Sequence, residues 1–172
     1  MAHHIFGSHT VDSGGIDMAV RRAAAAGLRA VQIFTAIPRF YGDRSTIRPE
    51  RVERFQAALE ETGIRPEHVM VHAAYVLNVA TPEPDKWERA AAGLAKEMER
   101  STALGVSGVC FHPGSARDGD LDGAVRRVAE AMRRALESVT GSTRLWIENT
   151  AGAGRTVGRS PDEVGAMLAH LP

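Results

Sequence analysis

The sequence lacks the features that mark secreted and membrane proteins. Of its 172 residues only Cys110 is a cysteine, which excludes an internal disulfide framework and indicates a reducing compartment. No apolar run approaches the roughly 20 residues that a membrane span requires, and the amino terminus lacks the basic and then apolar pattern of a secretory signal. We therefore expect a cytoplasmic protein with no membrane partner.

An excess of charge of either sign is also missing, since 21 basic residues balance 21 acidic ones. Nothing in the overall charge draws the chain to a nucleic acid, so any contact with DNA must come from a local patch. The glycine-rich phosphate loops GxGxxG and GxxxxGK[ST] are absent from the sequence. Dinucleotide-binding and nucleoside-triphosphate-binding folds are therefore disfavoured.

What the sequence does contain is a strand-helix rhythm repeated five times. Short β-branched or aromatic runs alternate with longer stretches that carry the 3.6-residue apolar spacing of helices. The predicted strands are His4–Thr10, Ala30–Thr35, Val69–Ala74, Val106–His112 and Arg144–Asn149. The predicted helices are Ile16–Ala26, Pro49–Thr62, Asp85–Leu104, Leu121–Val139 and Pro161–Leu171.

This alternation predicts an α/β fold with right-handed crossovers and a parallel sheet. Polar, ligand-type side chains recur at the carboxyl ends of successive strands, as a barrel active site requires, whereas an open sheet would concentrate them at one switch point. We therefore predict a (β/α)8 TIM barrel. A closed barrel has eight βα units and typically ~250 residues, so five units predict a truncated barrel in which residues 1–172 form a single partial domain.

Three residues of metal-binding type stand at the ends of successive predicted strands. His112 follows His72 by 40 residues and Glu148 follows His112 by 36, each close to the length of one βα unit. Because consecutive strands of a parallel barrel are neighbours, the three side chains are expected to converge on one rim. Two imidazoles and a carboxylate are a common catalytic zinc set. A single histidine is more often a structural or surface residue, and spacing alone leaves that interpretation open.

A set of longer motifs resembles one known family. The motifs are Gly7-Ser8-His9, Phe34-Thr35, His72 with Tyr75, Phe111-His112-Pro113-Gly114-Ser115 and Ile147-Glu148-Asn149-Thr150-Ala151-Gly152. In this order and spacing they are similar to bacterial endonuclease IV, the AP endonuclease family 2. Members of that family are zinc-dependent deoxyribonucleases that cut the DNA backbone on the 5′ side of an abasic site. The similarity extends from about Ile5 to Leu171.

The resemblance implies roles for four residues. His72, His112 and Glu148 would be metal ligands in a site that holds three Zn²⁺ ions in the complete family. Glu148 would bridge two of the ions and is therefore the residue implied to be catalytic, whereas His9 would support the site without binding an ion. The ions would lower the pKa of the attacking water and stabilise charge on the phosphate, so no protein nucleophile is required. Ligands for about one ion are present in this chain.

The resemblance also implies contacts with double-stranded DNA that contains an abasic site. Arg39 and Tyr41 follow the second strand where the family has a DNA-recognition loop, and Tyr75 matches a DNA-contacting tyrosine beside the first metal ligand. An aromatic ring beside an arginine can stack against the gap that a flipped-out lesion leaves in the duplex. A solvated loop with an incidental arginine is the alternative.

One departure from the family pattern concerns the remaining ligands. The family takes an aspartate, a histidine and a further glutamate from strands six to eight, which this sequence does not contain. We therefore expect a fragment, a truncated gene product, or a barrel completed by a second chain or a missing C-terminal segment. One rival function is a metal-dependent sugar isomerase or epimerase of the xylose isomerase-like barrels, and another is a non-catalytic half-barrel that binds DNA or a partner chain. The Phe111–Ser115 motif and the loop with Arg39 favour the nuclease.

Overall fold

The computed structural model describes residues 4–36 and 46–171, which form five strands and five α-helices in strict alternation. The strands are β1 Gly7–His9, β2 Ala30–Ile33, β3 Val69–His72, β4 Gly108–Phe111 and β5 Arg144–Ile147. The helices are α1 Ile16–Ala25, α2 Pro49–Thr62, α3 Pro84–Leu104, α4 Leu121–Glu137 and α5 Pro161–Leu168, with a short 3-10 turn at Pro66–His68. All five predicted strand-helix pairs are present.

The observed strands are shorter than the predicted ones because residues at the predicted strand ends form hydrogen bonds outside the sheet. The fourth strand begins at Gly108 rather than at Val106, since the backbone N–H of Val106 still donates to the carbonyl of Ser101 in the last turn of α3. Helices α2 and α3 end where the sequence predicted, at Gly63 and Gly105, whose φ angles of +69° and +70° are left-handed. The elements were therefore predicted correctly, while the strands and the carboxyl ends of α1, α4 and α5 were predicted too long.

The five strands are parallel and lie side by side in sequence order, β1 to β5. One face of the sheet, which we call the outer face, packs against the helices. On β2, β3 and β4 its side chains are at most 3% exposed, and they are Val31, Ile33, Val69, Val71, Val109 and Phe111. On the edge strand β5 the side chains of this face, Leu145 and Ile147, are partly buried. They share one apolar core with Phe55 of α2, Leu94 and Met98 of α3, and Met132 of α4. Packing in this core fixes the position and direction of each strand end.

The opposite or inner face of the sheet carries a different set of side chains. Gln32, Met70 and Trp146 are only partly buried there, and the adjacent β1 is exposed along its length. The register sets Met70 beside Gln32, His72 beside Cys110, and Cys110 beside Trp146, so these residues share the face.

Among the described residues, no helix has the length and apolar character needed to cross a membrane.

Candidate metal centre

Three ligand-type side chains meet at the carboxyl ends of β3, β4 and β5. His72 is the last residue of β3, while His112 and Glu148 come directly after β4 and β5. The Nε2 atom of His72 lies 2.9 Å from Oε2 of Glu148, and Nε2 of His112 lies 3.8 Å from the same oxygen. One donor atom from each residue lies within 4.8 Å of the other two. The structure thus brings together the three residues that the strand spacing indicated.

The ring of His72 is fixed by a backbone contact on its far side. Its Nδ1 lies 2.8 Å from the carbonyl oxygen of Ala73, so Nδ1–H donates to that oxygen and the lone pair is assigned to Nε2. Metal-binding histidines are commonly held in this way. The lone pair of Nε2 and the carboxylate of Glu148 therefore face each other at 2.9 Å, which requires a shared cation, either a proton or a metal ion.

The separations between the donor atoms bracket those expected around one divalent ion. Ligand atoms bound tetrahedrally to zinc at about 2.0–2.2 Å lie about 3.3–3.5 Å from one another. The two measured separations to Glu148, 2.9 Å and 3.8 Å, fall on either side of that range. The side chains of His112 and Glu148 are 38% and 44% exposed, so the site is open to solvent on one side. Three protein ligands and an open position are typical of a catalytic metal site.

Aromatic rings pack around the buried side of this cluster. Phe34 lies edge-on to His72 with ring centroids 5.7 Å apart, and His9 in turn packs edge-on against Phe34 at 4.9 Å. Tyr75 lies 5.1 Å from His72 and 6.2 Å from His112, yet the residue is 56% exposed. Among the ring contacts of the described residues, His9 therefore reaches the cluster through Phe34, and Tyr75 places an accessible ring at its rim. Their roles in supporting the site and in binding DNA stay predictions.

A cavity of about 590 Å³ opens beside the cluster. Its lining includes Tyr75, Asn78, His112, Ser115, Glu148 and Thr156. The amide of Asn78 accepts from the backbone N–H of Ser115 at 2.9 Å and donates to the carbonyl of Ser115 at 3.2 Å. Gly114 has φ +104°, and a Cβ there would lie 2.0 Å from Oδ1 of Asn78. The loop after β4 thus depends on both residues, although the sequence drew attention only to the glycine-containing motif.

Cys110 faces the carboxylate of the candidate centre. The sequence indicated a small buried residue, and Cys110 is 8% exposed. Its Sγ lies 3.8 Å from Oε2 of Glu148. Burial, followed by the negative charge of Glu148, raises the pKa of the thiol to about 11. The thiol is therefore protonated at neutral pH and presents a neutral, weakly polar group to the carboxylate.

A buried polar network holds the end of β2 beside Phe34. The hydroxyl of Thr35 donates to the carboxylate of Glu97, whose other oxygen lies 3.6 Å from Nη1 of Arg100. All three residues are at most 3% exposed. Arg51 adds a donor to the carbonyl oxygen of Thr35 at 3.3 Å. Sequence reasoning missed this network, although a glutamate within the apolar stripe of α3 is a usable signal, since buried charges need partners.

Two of the predicted DNA-contacting residues, Arg39 and Tyr41, lie outside the described residues. Their predicted contacts with DNA therefore stay predictions. Among the predicted site residues that are described, His72, His112 and Glu148 form the cluster itself. Tyr75 contacts the cluster directly, and His9 contacts it through one intervening ring.

An array of βα units with two histidines and a glutamate at adjacent strand ends defines a class, the metal-site barrels of the (β/α)8 type. The family described as "Xylose isomerase-like TIM barrel" matches residues 20–172. The chain belongs to this family, and the predicted fold class is confirmed.

Two individual relatives show which members of this family the chain resembles. An endonuclease 4 of Thermus thermophilus is 37% identical over 171 residues, an alignment that covers 97% of this chain and 59% of the relative. A crystal structure of endonuclease IV from another strain of Thermus thermophilus matches with a TM-score of 0.80 and 34% identity, over 96% of this chain and 60% of that one. This chain therefore spans about three fifths of the length of these relatives. The resemblance to endonuclease IV indicated by the motifs is confirmed.

A structural likeness to sugar epimerases is also present but concerns the fold alone. The crystal structure of a D-tagatose 3-epimerase-like protein matches with a TM-score of 0.71 and 12% identity, over 94% of this chain and 59% of that one. Such low identity carries no information about the reaction.

Proposed function

We propose that this chain contributes the first five βα units of a DNA-repair AP endonuclease, a phosphodiesterase that hydrolyses the DNA backbone 5′ to an abasic site. The observation that carries the proposal is the set of donor atoms from His72, His112 and Glu148 within 4.8 Å of one another. The set occurs in a chain 37% identical to an endonuclease 4. The sugar epimerases share the barrel at 12% identity, which supports no shared reaction.

The metal proposed for this cluster is Zn²⁺, because imidazole nitrogen and carboxylate oxygen in a three-ligand set suit that ion. When bound, the ion supplies Lewis-acid chemistry, which lowers the pKa of a water molecule and stabilises charge on a phosphoryl oxygen. His72, buried and oriented by Ala73, fixes the position of the site. His112 and Glu148, which are both partly exposed, leave the solvent side accessible to a phosphodiester.

Other residues of the chain prepare the site for a phosphodiester. The cavity of about 590 Å³ begins at His112 and Glu148 and is large enough for a nucleotide-sized group. Asn78 holds the loop at Ser115 in place along one wall. The protonated thiol of Cys110 lies against Glu148 and favours one orientation of the carboxylate.

The proposed substrate is double-stranded DNA that contains an abasic site. Tyr75 supports this proposal because its ring is exposed and lies 6.2 Å from the ring of His112. An exposed aromatic ring beside a phosphodiesterase centre can stack on a base next to the missing one. Arg39 and Tyr41 are proposed to contact the same duplex. A second chain or a C-terminal segment that completes the barrel is proposed as a protein partner.

The proposed activity is tested by cleavage of a duplex with a single tetrahydrofuran abasic analogue. Because the chain spans 59% of its relative, it is assayed alone and mixed with a polypeptide containing the remaining strands of that relative. We expect zinc-dependent cleavage by the mixture that His112→Ala abolishes and that His170→Ala, an exposed histidine just after α5, leaves intact. Epimerisation of a ketohexose by the same preparation, with no cut in the duplex, would contradict the proposal.

A further inference from the structure

A second polar feature of the described chain lies on the first turns of α2, away from the donor atoms of the metal centre. It is a recess of about 520 Å³, and we call it the arginine recess. Its lining consists of Thr46, Arg48, Glu50, Arg51 and Arg54. Because α2 follows β2 in a parallel array, its first turn lies at the same end of the sheet as the metal centre.

The arginine recess concentrates positive charge in a chain whose formal net charge is zero. Its lining includes three arginines and a single acidic residue, Glu50. Arg51 and Arg54, three residues apart, lie along one side of α2, and Arg48 directly precedes the helix. Like charges at this spacing destabilise a helix unless an anion lies between them.

The two outer arginines, Arg48 and Arg54, have at most a weak ionic partner among the described residues. Arg54 is 62% exposed, and its Nε is 3.9 Å from Oδ1 of Asp17, at the limit of an ion pair. Arg48 is exposed at the residue before the helix begins. Arg51 is half-buried, and one of its nitrogens donates to the carbonyl oxygen of Thr35. Arg51 is therefore held in place, while the two outer guanidiniums can turn toward a ligand.

A short series of contacts connects the arginine recess with the metal centre. Arg51 donates to Thr35, Thr35 directly follows Phe34, and the ring of Phe34 packs against those of His72 and Tyr75. Both features therefore border the end of β2. A ligand that carries several phosphates along a chain can reach both, whereas a small sugar cannot.

We propose that the arginine recess binds a phosphate group, and that this group belongs to the backbone of the DNA held at the metal centre. The inference rests on the proposed function for the identity of the polymer. Arginine is suited to the contact, because its planar guanidinium donates two parallel hydrogen bonds to phosphate oxygens. Free inorganic phosphate offers the same chemistry, so the experiment must separate the two sources.

The test measures binding of the metal-free chain to an undamaged, fluorescently labelled duplex by anisotropy over a series of salt concentrations. The double variant Arg48→Ala/Arg54→Ala is compared with wild type. Arg29→Ala is the matched control, since this exposed arginine lies at the amino end of β2, the opposite end of the sheet. We expect weaker binding by the double variant and a salt slope smaller by about 0.9 for each phosphate that is no longer neutralised, with the control unchanged.

A second arm adds inorganic phosphate to the wild-type complex, with chloride at matched ionic strength as the reference. Displacement of the duplex beyond that caused by chloride, absent in the double variant, shows that the recess also takes free phosphate. No displacement together with a reduced salt slope assigns the recess to the DNA backbone alone. Equal affinity and equal slope for wild type and the double variant, or no binding of duplex by wild type, would overturn the inference.

The outcome is separable from that of the proposed function, because the binding experiment uses neither metal nor cleavage. A double variant with a normal salt slope in a preparation that cleaves abasic duplex refutes the arginine recess alone. A reduced slope in a preparation that never cleaves refutes the nuclease alone. Thermal melting of both variants should match wild type, since the substituted side chains are exposed.

Discussion

The two faces of the sheet are built on different principles. On β2, β3 and β4 the outer face consists of aliphatic and aromatic side chains that are at most 3% exposed and pack against helices. The inner face carries Gln32, Met70, Cys110 and Trp146 beside the candidate metal centre. Much of this face is partly exposed. One face therefore carries most of the burial that stabilises the fold, and the other borders the candidate metal centre. Substitutions that separate stability from site function should follow this division.

The largest contrast is expected between two aromatic residues on adjacent strands. Phe111 points to the outer face and is 2% exposed, whereas Trp146 of the neighbouring strand is partly buried on the inner face. Phe111→Ala should lower the free energy of unfolding by about 3–5 kcal/mol, the usual cost of emptying an aromatic site in a core. Trp146→Ala should cost well under half of that. Urea denaturation of both variants measures the contrast, and equal losses would show that the inner face is as well packed as the outer one.

A smaller loss is expected when the polar network of α3 is broken. Glu97 is 1% exposed, accepts from the hydroxyl of Thr35 and pairs with Arg100, so Glu97→Ala removes two buried polar contacts at once. The expected cost is about 3 kcal/mol, at the lower end for a broken buried pair. Glu99→Ala, two residues away in a partly exposed pair with Lys96, should cost less than about 1 kcal/mol. Chemical denaturation tests the pair of variants, and similar values would contradict a structural role for the network.

The next prediction concerns metal bound by the 172-residue chain alone. Two histidines and one glutamate are enough ligands for one ion, so elemental analysis should give at most one tightly bound zinc per chain. His112→Ala should weaken zinc binding at least about tenfold while leaving the unfolding of the metal-free chain unchanged, because His112 is partly exposed at the rim. The chain alone should show little cleavage of abasic duplex. Three tightly bound zinc ions with full cleavage would contradict this assignment of ligands.

The sequence alone predicted the site residues that recur at a regular interval along the chain, and it missed those that do not. His72, His112 and Glu148 were found because one ligand per βα unit leaves a regular interval of about 40 residues along the chain. The contact of Asn78 with Ser115 joins residues 37 apart, and that of Thr35 with Glu97 joins residues 62 apart. No periodicity relates such pairs, so they required the folded chain.

The same limit applies to Cys110 and to the strand ends. The sequence indicated that Cys110 shares a face with His112, but not that its sulfur meets the carboxylate that follows β5. Strand ends were predicted too long because apolar residues such as Val106 continue past the point where the ladder begins. Propensity thus located the elements, while hydrogen bonding between elements set their limits.

The smallest expected effect is a pH dependence that originates at Cys110. Its pKa in the folded chain is about 11, above the ordinary value of 9.0, chiefly because of burial and then because of Glu148. The stabilisation associated with the protonated thiol is therefore complete below pH 9 and is lost as the pH rises toward 11. The difference in unfolding free energy between the wild-type chain and Cys110→Ala, both metal-free, should shrink over that interval. A difference that stays constant from pH 8 to about pH 11 would refute the shifted pKa.

The two tryptophans of the chain stand in opposite surroundings, and this makes them a built-in pair of optical probes. Trp87 is 9% exposed, donates from its indole N–H to the carbonyl of Arg127 and lies under the guanidinium of Arg134. Trp146 is partly open on the inner face, between Cys110 and the edge of the sheet. Anything that covers the inner face must shift the emission of Trp146 to shorter wavelength and shield it from a soluble quencher, while Trp87 changes little. Barrel completion by a second polypeptide can therefore be followed in real time without any label.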